Sequence, residues 1–255
     1  TIEIGRKITE QEADIRPEQK QQVIINDIAA RLIEQIAIEA RSSEYVDAKS
    51  GVSARLTISA MENLMAAAKL RLIETDSNKT SIRLVDFMSI IPSITGKIEL
   101  VYEGEQEGPA IIAQNLISIS IRNSFLQLFP DPEKLKRKKE SSDYSKIINW
   151  FSNNNILDLL DHEKDSVYAH ALSFVEGLEE LVSKYHPKAK GNDKLLLMEF
   201  ALHGLAEHSL LSKTKLISGV SFKDLFNSLM VLHPKSIISL LSSSLIRFKT
   251  CSTPA

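Results

Sequence analysis

Ser50-Gly51-Val52-Ser53-Ala54-Arg55-Leu56-Thr57-Ile58-Ser59-Ala60-Met61-Glu62-Asn63-Leu64 opens a helix. Gly51 lets the chain turn sharply, and Ser53 is placed to accept a hydrogen bond from a free first-turn N–H. Apolar residues recur at Ile58, Met61, Leu64, Met65, Ala68 and Leu72, a spacing that predicts one buried stripe at helical period. Arg55 falls in the first turn, off that stripe. A cation is out of place there, because the dipole at a helix N-terminus favours anions. Such an arginine gains most from an external anion beside it, phosphate being the usual one.

Gly51-Val52-Ser53-Ala54-Arg55 resembles the sensor 2 arginine motif that opens a helix in the lid of AAA+ ATPases. The surrounding phrases, Glu44-Tyr45-Val46-Asp47 and Ser50-Gly51-Val52-Ser53-Ala54-Arg55-Leu56, are similar to the magnesium-chelatase-like branch of that superfamily. So is the later run Ile94-Thr95-Gly96-Lys97-Ile98-Glu99-Leu100-Val101-Tyr102-Glu103-Gly104-Glu105-Gln106-Glu107-Gly108. The resemblance covers roughly residues 1–140, and the long run is its more specific part. It implies the C-terminal region of an ATP-driven remodelling protein that works as an oligomeric ring. Arg55 would then be a nucleotide-sensing residue, reaching from the lid to the terminal phosphate. ATP and Mg²⁺ are implied for the full-length protein, with none bound by this chain alone. The implied partners are its own upstream ATPase core, neighbouring subunits and a client protein that the lid does not identify.

The departure from the family is as informative. No G-x-x-x-x-G-K-[ST] phosphate loop occurs in the chain. The nearest approach to a Walker B acidic strand is Ile156-Leu157-Asp158-Leu159-Leu160-Asp161-His162-Glu163, expected to be a short helix. The chain therefore reads as the part of an AAA+ protein that lacks the nucleotide-binding core, or as a descendant that has lost it. It begins without Met, as a shortened chain would.

With 255 residues, one or two domains are expected. Nine glycines, eight prolines and 6% aromatics favour helices over a turn-rich β architecture. A net charge of −2 supplies no global field toward nucleic acid or membrane. The single cysteine, Cys251, excludes an internal disulfide and fits a reducing cytoplasm. No apolar run approaches the roughly 20 residues that span a bilayer, and no signal-peptide pattern is seen.

The expected architecture is all-α, with little or no β. An AAA+ lid-like helical domain with its extension occupies 1–130, a basic linker 131–143, and a C-terminal helical domain 144–255. Within the first part, 22–26 reads as a short extended piece and 27–42 as a helix on Ile28, Leu32, Ile33, Ile36, Ala37 and Ala40. The Arg55 helix runs to about Thr75, and a short helix on Leu84, Val85, Phe87 and Met88 stops before Pro92. Residues 97–102 alternate like a short strand, 103–109 form an acidic turn, and Pro109 opens a helix burying Ile112, Leu116, Ile119, Phe125 and Leu126. The linker carries Lys134, Lys136, Arg137, Lys138 and Lys139. A solvated helix end or hinge is its plain reading, with docking to an acidic partner as the alternative. Nucleic-acid binding is not expected, because no aromatics interleave the cations. The last part predicts helices at 144–151, 163–185, 194–211, 221–232 and 234–247.

Other chemistry is sparse. His203 and His208 point about 140° apart on a helix and cannot share a metal from one face, so satisfied or exposed histidines are expected. Glu103, Glu105 and Glu107 offer oxygen ligands but lack EF-hand spacing, and capping with surface ion pairing is the plainer role. No metal site and no catalytic triad are expected. For Arg55 the alternative to phosphate sensing is a salt bridge to Glu62. The competing function is a helical protein-interaction adaptor unrelated to ATP hydrolysis.

Overall fold

A computed structural model describes residues 1–137 and 143–225. Its elements begin with α1 (Ile2–Glu12), α2 (Pro17–Gln22) and β1 (Val23–Ile24). Two long amphipathic helices follow, α3 (Asp27–Ser42) and α4 (Arg55–Glu74). The strand β2 (Thr80–Ser81), a 3-10 helix at Leu84–Ile90, α5 (Ile91–Thr95) and α6 (Tyr102–Glu107) lead into α7 (Pro109–Leu128). Then come α8 (Pro132–Arg137), α9 (Ser145–Ser152), β3 (Leu157–Leu160), α10 (Asp165–Ser173), α11 (Leu178–Tyr185), α12 (Gly191–Glu207), β4 (Ser212–Leu216) and β5 (Gly219–Lys223). The fold is all-α in class, with only short strands.

The periodic stripes do the packing. On α3, Ala29, Leu32, Ile33, Ile36, Ala37 and Ala40 are buried, and on α4 Leu56, Ala60, Met61, Leu64, Met65, Ala68 and Leu72. Helix α7 packs on α3, α5 and α12. Helix α12 is nearly all core from Leu196 to Leu205, as a centrally placed helix must be. Buried residues from α3, α4, α7, α9, α11 and α12 join one continuous hydrophobic cluster. At roughly 1.5–3 kcal/mol per buried large aliphatic side chain, that cluster is the main stabilising term.

Several expectations are corrected. Residues 157–160 form the strand β3, not a helix, and pair antiparallel with β5 from Leu157↔Phe222 to Leu160↔Gly219. Leu157 and Leu159 face inward while Asp158 faces out, a two-residue period that only a neighbouring strand can use. Residues 219–223, expected to begin a helix at 221, are the central strand of the order β3-β5-β4. The single helix at 163–185 is two, α10 and α11, separated at Gly177, whose φ of 81° no right-handed helix accommodates. Residues 97–101 form no strand beyond one antiparallel bridge, Val46↔Leu100, and the acidic turn is the short helix α6. On α7, Ile119 and Leu126 are exposed, while Ile117 and Ile121 take the buried places. Cys251, Lys138, Lys139, the helix expected at 234–247 and most of the one at 221–232 lie outside the described residues.

Candidate functional site

The turn before α4 is built by short-range hydrogen bonds. Asp47 Oδ1 accepts from the Lys49 N–H at 2.9 Å, and Asp47 Oδ2 from the Ser50 hydroxyl at 3.1 Å. Gly51 donates its N–H to the Asp47 carbonyl at 3.2 Å and carries φ +68°, the left-handed conformation that turns the chain into the helix. Ser53 Oγ accepts from the Arg55 N–H at 3.2 Å, but Ser53 is not the cap expected of it: Ala54 holds the N-cap position, with no side-chain cap hydrogen bond, and the Ser53 contact belongs to the turn before the helix.

The two stretches quoted for the family resemblance lie side by side. Asp47 donates its N–H to the Glu99 carbonyl at 2.9 Å, and Val101 donates to the Tyr45 carbonyl at 3.1 Å, flanking the Val46↔Leu100 bridge. The Ser50 hydroxyl also reaches the Glu99 carboxylate. Gly104 closes the joint, since a Cβ there would stand 2.7 Å from the Tyr45 carbonyl oxygen. Residues about fifty apart in sequence thus meet in the segment that leads into α4.

Arg55, the first residue of α4, is exposed. Its guanidinium forms no ion pair with any described residue. The alternative partner, Glu62, is occupied elsewhere: its Oε1 accepts from the Asp14 N–H at 3.0 Å. Beneath the same end of α4, the Thr9 hydroxyl donates to Glu34 Oε1 at 2.7 Å and lies 2.8 Å from the Thr57 hydroxyl. Burial holds the Glu34 carboxyl above its ordinary range against the pull of these partners.

A second polar cluster, which sequence reasoning missed, joins α4 and the 3-10 helix to α10 and α12. Arg71, at the far end of α4, pairs with Asp86 and donates to the Ser81 carbonyl at 2.7 Å and the Thr80 hydroxyl at 3.3 Å. Arg83 donates to Asp165 Oδ1 at 2.6 Å and to the Glu163 carbonyl at 2.8 Å, and lies 4.3 Å above the Tyr168 ring. Glu199 is fully buried; its Oε2 accepts from the Leu84 N–H and the Tyr168 hydroxyl, each at 2.8 Å, and its Oε1 from the Val85 N–H at 3.2 Å. Burial pushes the Glu199 carboxyl up, and burial with the adjacent Glu199 pushes the Tyr168 hydroxyl well up. The Nε atoms of Arg71 and Arg83 are buried without a partner, but the other guanidinium donors named here have fixed acceptors, and the cluster ties distant chain segments together. Its only sequence signal was that charged residues recur on faces otherwise apolar, such as Arg71 between Ala68 and Leu72.

His203 and His208 depart from the expected satisfied or exposed state. Both ring nitrogens of each are buried without a hydrogen-bond partner among the described residues. Burial and the nearby Lys213 hold the His203 imidazole well below its ordinary pKa, so it is neutral at pH 7. Glu103, Glu105 and Glu107 are exposed along α6. Among the described residues no three His, Cys, Asp or Glu side chains gather as a metal site, and no helix is long and apolar enough to cross a membrane.

Comparison with protein-family models, with curated proteins and with solved structures gave no match.

Proposed function

We propose that this chain is the C-terminal, lid-bearing region of a magnesium-chelatase-like AAA+ ATPase that couples ATP hydrolysis to remodelling of a partner protein in the cytoplasm. The observation that carries the reading is Arg55: an exposed guanidinium without an ion pair among the described residues, in the first turn of a 20-residue helix. An arginine kept at the dipole-positive end without a protein counter-ion is suited to an external anion. The side-by-side placement of 44–50 and 97–104 supports the reading as well. The stretches that carry the family resemblance are hydrogen-bonded to one another just ahead of the helix that Arg55 opens.

Only one element of an ATP site fits here. Arg55 would meet the terminal phosphate, and a core carrying a phosphate loop would supply the remaining contacts and the Mg²⁺. The chain is thus not catalytic alone. In the assembled protein the α4 lid would favour ATP over ADP through Arg55. That difference in affinity between the open and closed states is what moves a lid. The movement would pass to neighbouring subunits and the client through α4 and the elements packed on it.

The test is ATP hydrolysis by the full open reading frame, wild type beside Arg55→Ala and Arg55→Lys. Collapse of turnover by orders of magnitude in both, with the fold intact, is the expected outcome, as for other phosphate-directed arginines. Normal hydrolysis in Arg55→Ala would sink the proposal.

A second reading, a helical interaction adaptor without ATP chemistry, draws on Leu70 and Ile73. These large apolar side chains are 56% and 63% exposed on α4. Such an adaptor would capture its partner equally well with and without ATP, whereas a lid would associate with its own ATPase core.

A further inference from the structure

Helix α7 is apolar on more of its circumference than its neighbours cover. Ile111, Ile119 and Leu126 are 49%, 43% and 45% exposed, and with the exposed Asn115 and Arg122 they follow one line along the helix. At 1.5 Å per residue that line is about 22 Å long. A groove of about 290 Å³ runs beside it, from Tyr45 and Ile112 to Arg122 and Glu207. At the Glu207 end, Arg122 donates to the Glu207 carbonyl at 3.3 Å, and the Glu207 carboxylate pairs with Lys213, which lies opposite Phe222 of β5. At the other end α6 packs on α7 and holds Glu103, Glu105 and Glu107, exposed and without an ion pair among the described residues.

The chain leaves β5 beside the Glu207 end, and residues 226–255 follow. Their sequence predicts a helix at 234–247 with Ile237, Ile238, Leu241 and Leu245 on one stripe. Such a helix is about 21 Å long, which matches the line on α7. The connecting residues 226–233 extend up to about 26 Å, enough to step from β5 into the groove. Charge fits as well: the charged side chains after Leu225 are Lys235, Arg247 and Lys249, with no Asp or Glu among them. We propose that 234–247 docks in this groove as a helix antiparallel to α7, its apolar stripe on Ile111, Ile119 and Leu126. Its first turn lies at Leu126, and Arg247 and Lys249 arrive at the carboxylates of α6. Apolar burial drives the docking, and the carboxylates at one end set its direction. The inference is independent of Arg55 and of the ATPase reading.

Cys251 is the only cysteine of the chain, so one added cysteine makes one defined pair. The test is cross-linking of the full chain by a short bismaleimide in Ile111→Cys and, separately, in Leu126→Cys, with the products read by mass spectrometry. An intramolecular link from Cys251 is expected in Ile111→Cys and not in Leu126→Cys. Adding Ile119→Glu to Ile111→Cys should abolish the link, with circular dichroism checking that this exposed position leaves the helices intact. A link in Leu126→Cys alone, equal links in both variants, or no link in either overturns the proposal. So does a link that survives Ile119→Glu. A link between two chains overturns it too, and would make the line on α7 an interface between copies.

Discussion

Arg55 and Arg71 stand at opposite ends of α4 and live in opposite surroundings. Arg55 is exposed and makes no ion pair among the described residues, and it costs the fold almost nothing. Arg71 is 3% exposed, and the fold has built Asp86, Thr80 and Ser81 around its guanidinium. A buried cation must be matched by fixed acceptors or it is not tolerated, whereas a surface cation can wait for an external one. One end of the helix is therefore a tether and the other is free to sense.

The sharpest way to break this contrast is Arg71→Ala. It strands the Asp86 carboxylate in the core, and a loss of about 3–5 kcal/mol in urea unfolding is expected. The double change Arg71→Met with Asp86→Leu should recover much of that loss, since no buried charge is left alone. Less costly is Gly104→Ala, whose new methyl meets the Tyr45 carbonyl oxygen and loosens the joint between 44–50 and 97–104. About 1–3 kcal/mol is expected from chemical denaturation.

The His203 side of the tether gives a pH test. Its folded pKa is depressed below the ordinary value of 6.5, so its contribution is fully present above that pH. As pH falls below 6.5 the unfolded chain binds the extra proton, and stability declines by up to about 1.4 kcal/mol per unit until the folded value is reached. Glu199, with a raised folded pKa, works in the opposite sense: stability is gained as pH falls through that value toward 4.5. Unfolding midpoints at pH 7.5, 6.5 and 5.5 in wild type and His203→Leu separate the two. The variant should lack the acid-side decline, and an identical profile would remove His203 from the account. The smallest expected effect belongs to Arg55→Ala: within about 0.5 kcal/mol on stability, measured by the same unfolding, because nothing in the fold depends on it. A larger loss would mean that Arg55 is a structural residue after all.

How much was legible follows from the range of the interactions. The helices α3, α4 and α7 could be read because a 3.6-residue stripe is a local signal that survives without knowledge of neighbours. The Gly51 turn was readable for the same reason, and the exposure of Arg55 followed from its place off the stripe. The strands β3 and β5 were not. Leu157-Asp158-Leu159-Leu160 fits either period over so short a run, and the choice was made by Gly219–Lys223 arriving alongside. The two lone histidines gave no hint of their burial.

By itself the sequence determined the helical class, the main buried stripes and an arginine held at a helix start. Tertiary structure alone decided that 44–50 would lie against 97–104 and that Glu199 would accept from Leu84, Val85 and Tyr168. It also buried Asn26 Oδ1 and Arg6 Nε without a hydrogen-bond partner among the described residues. The reason is physical: periodicity encodes which face of an element is buried, but not which distant element covers it. Hydrogen bonds between remote residues exist only once packing has brought them within about 3 Å.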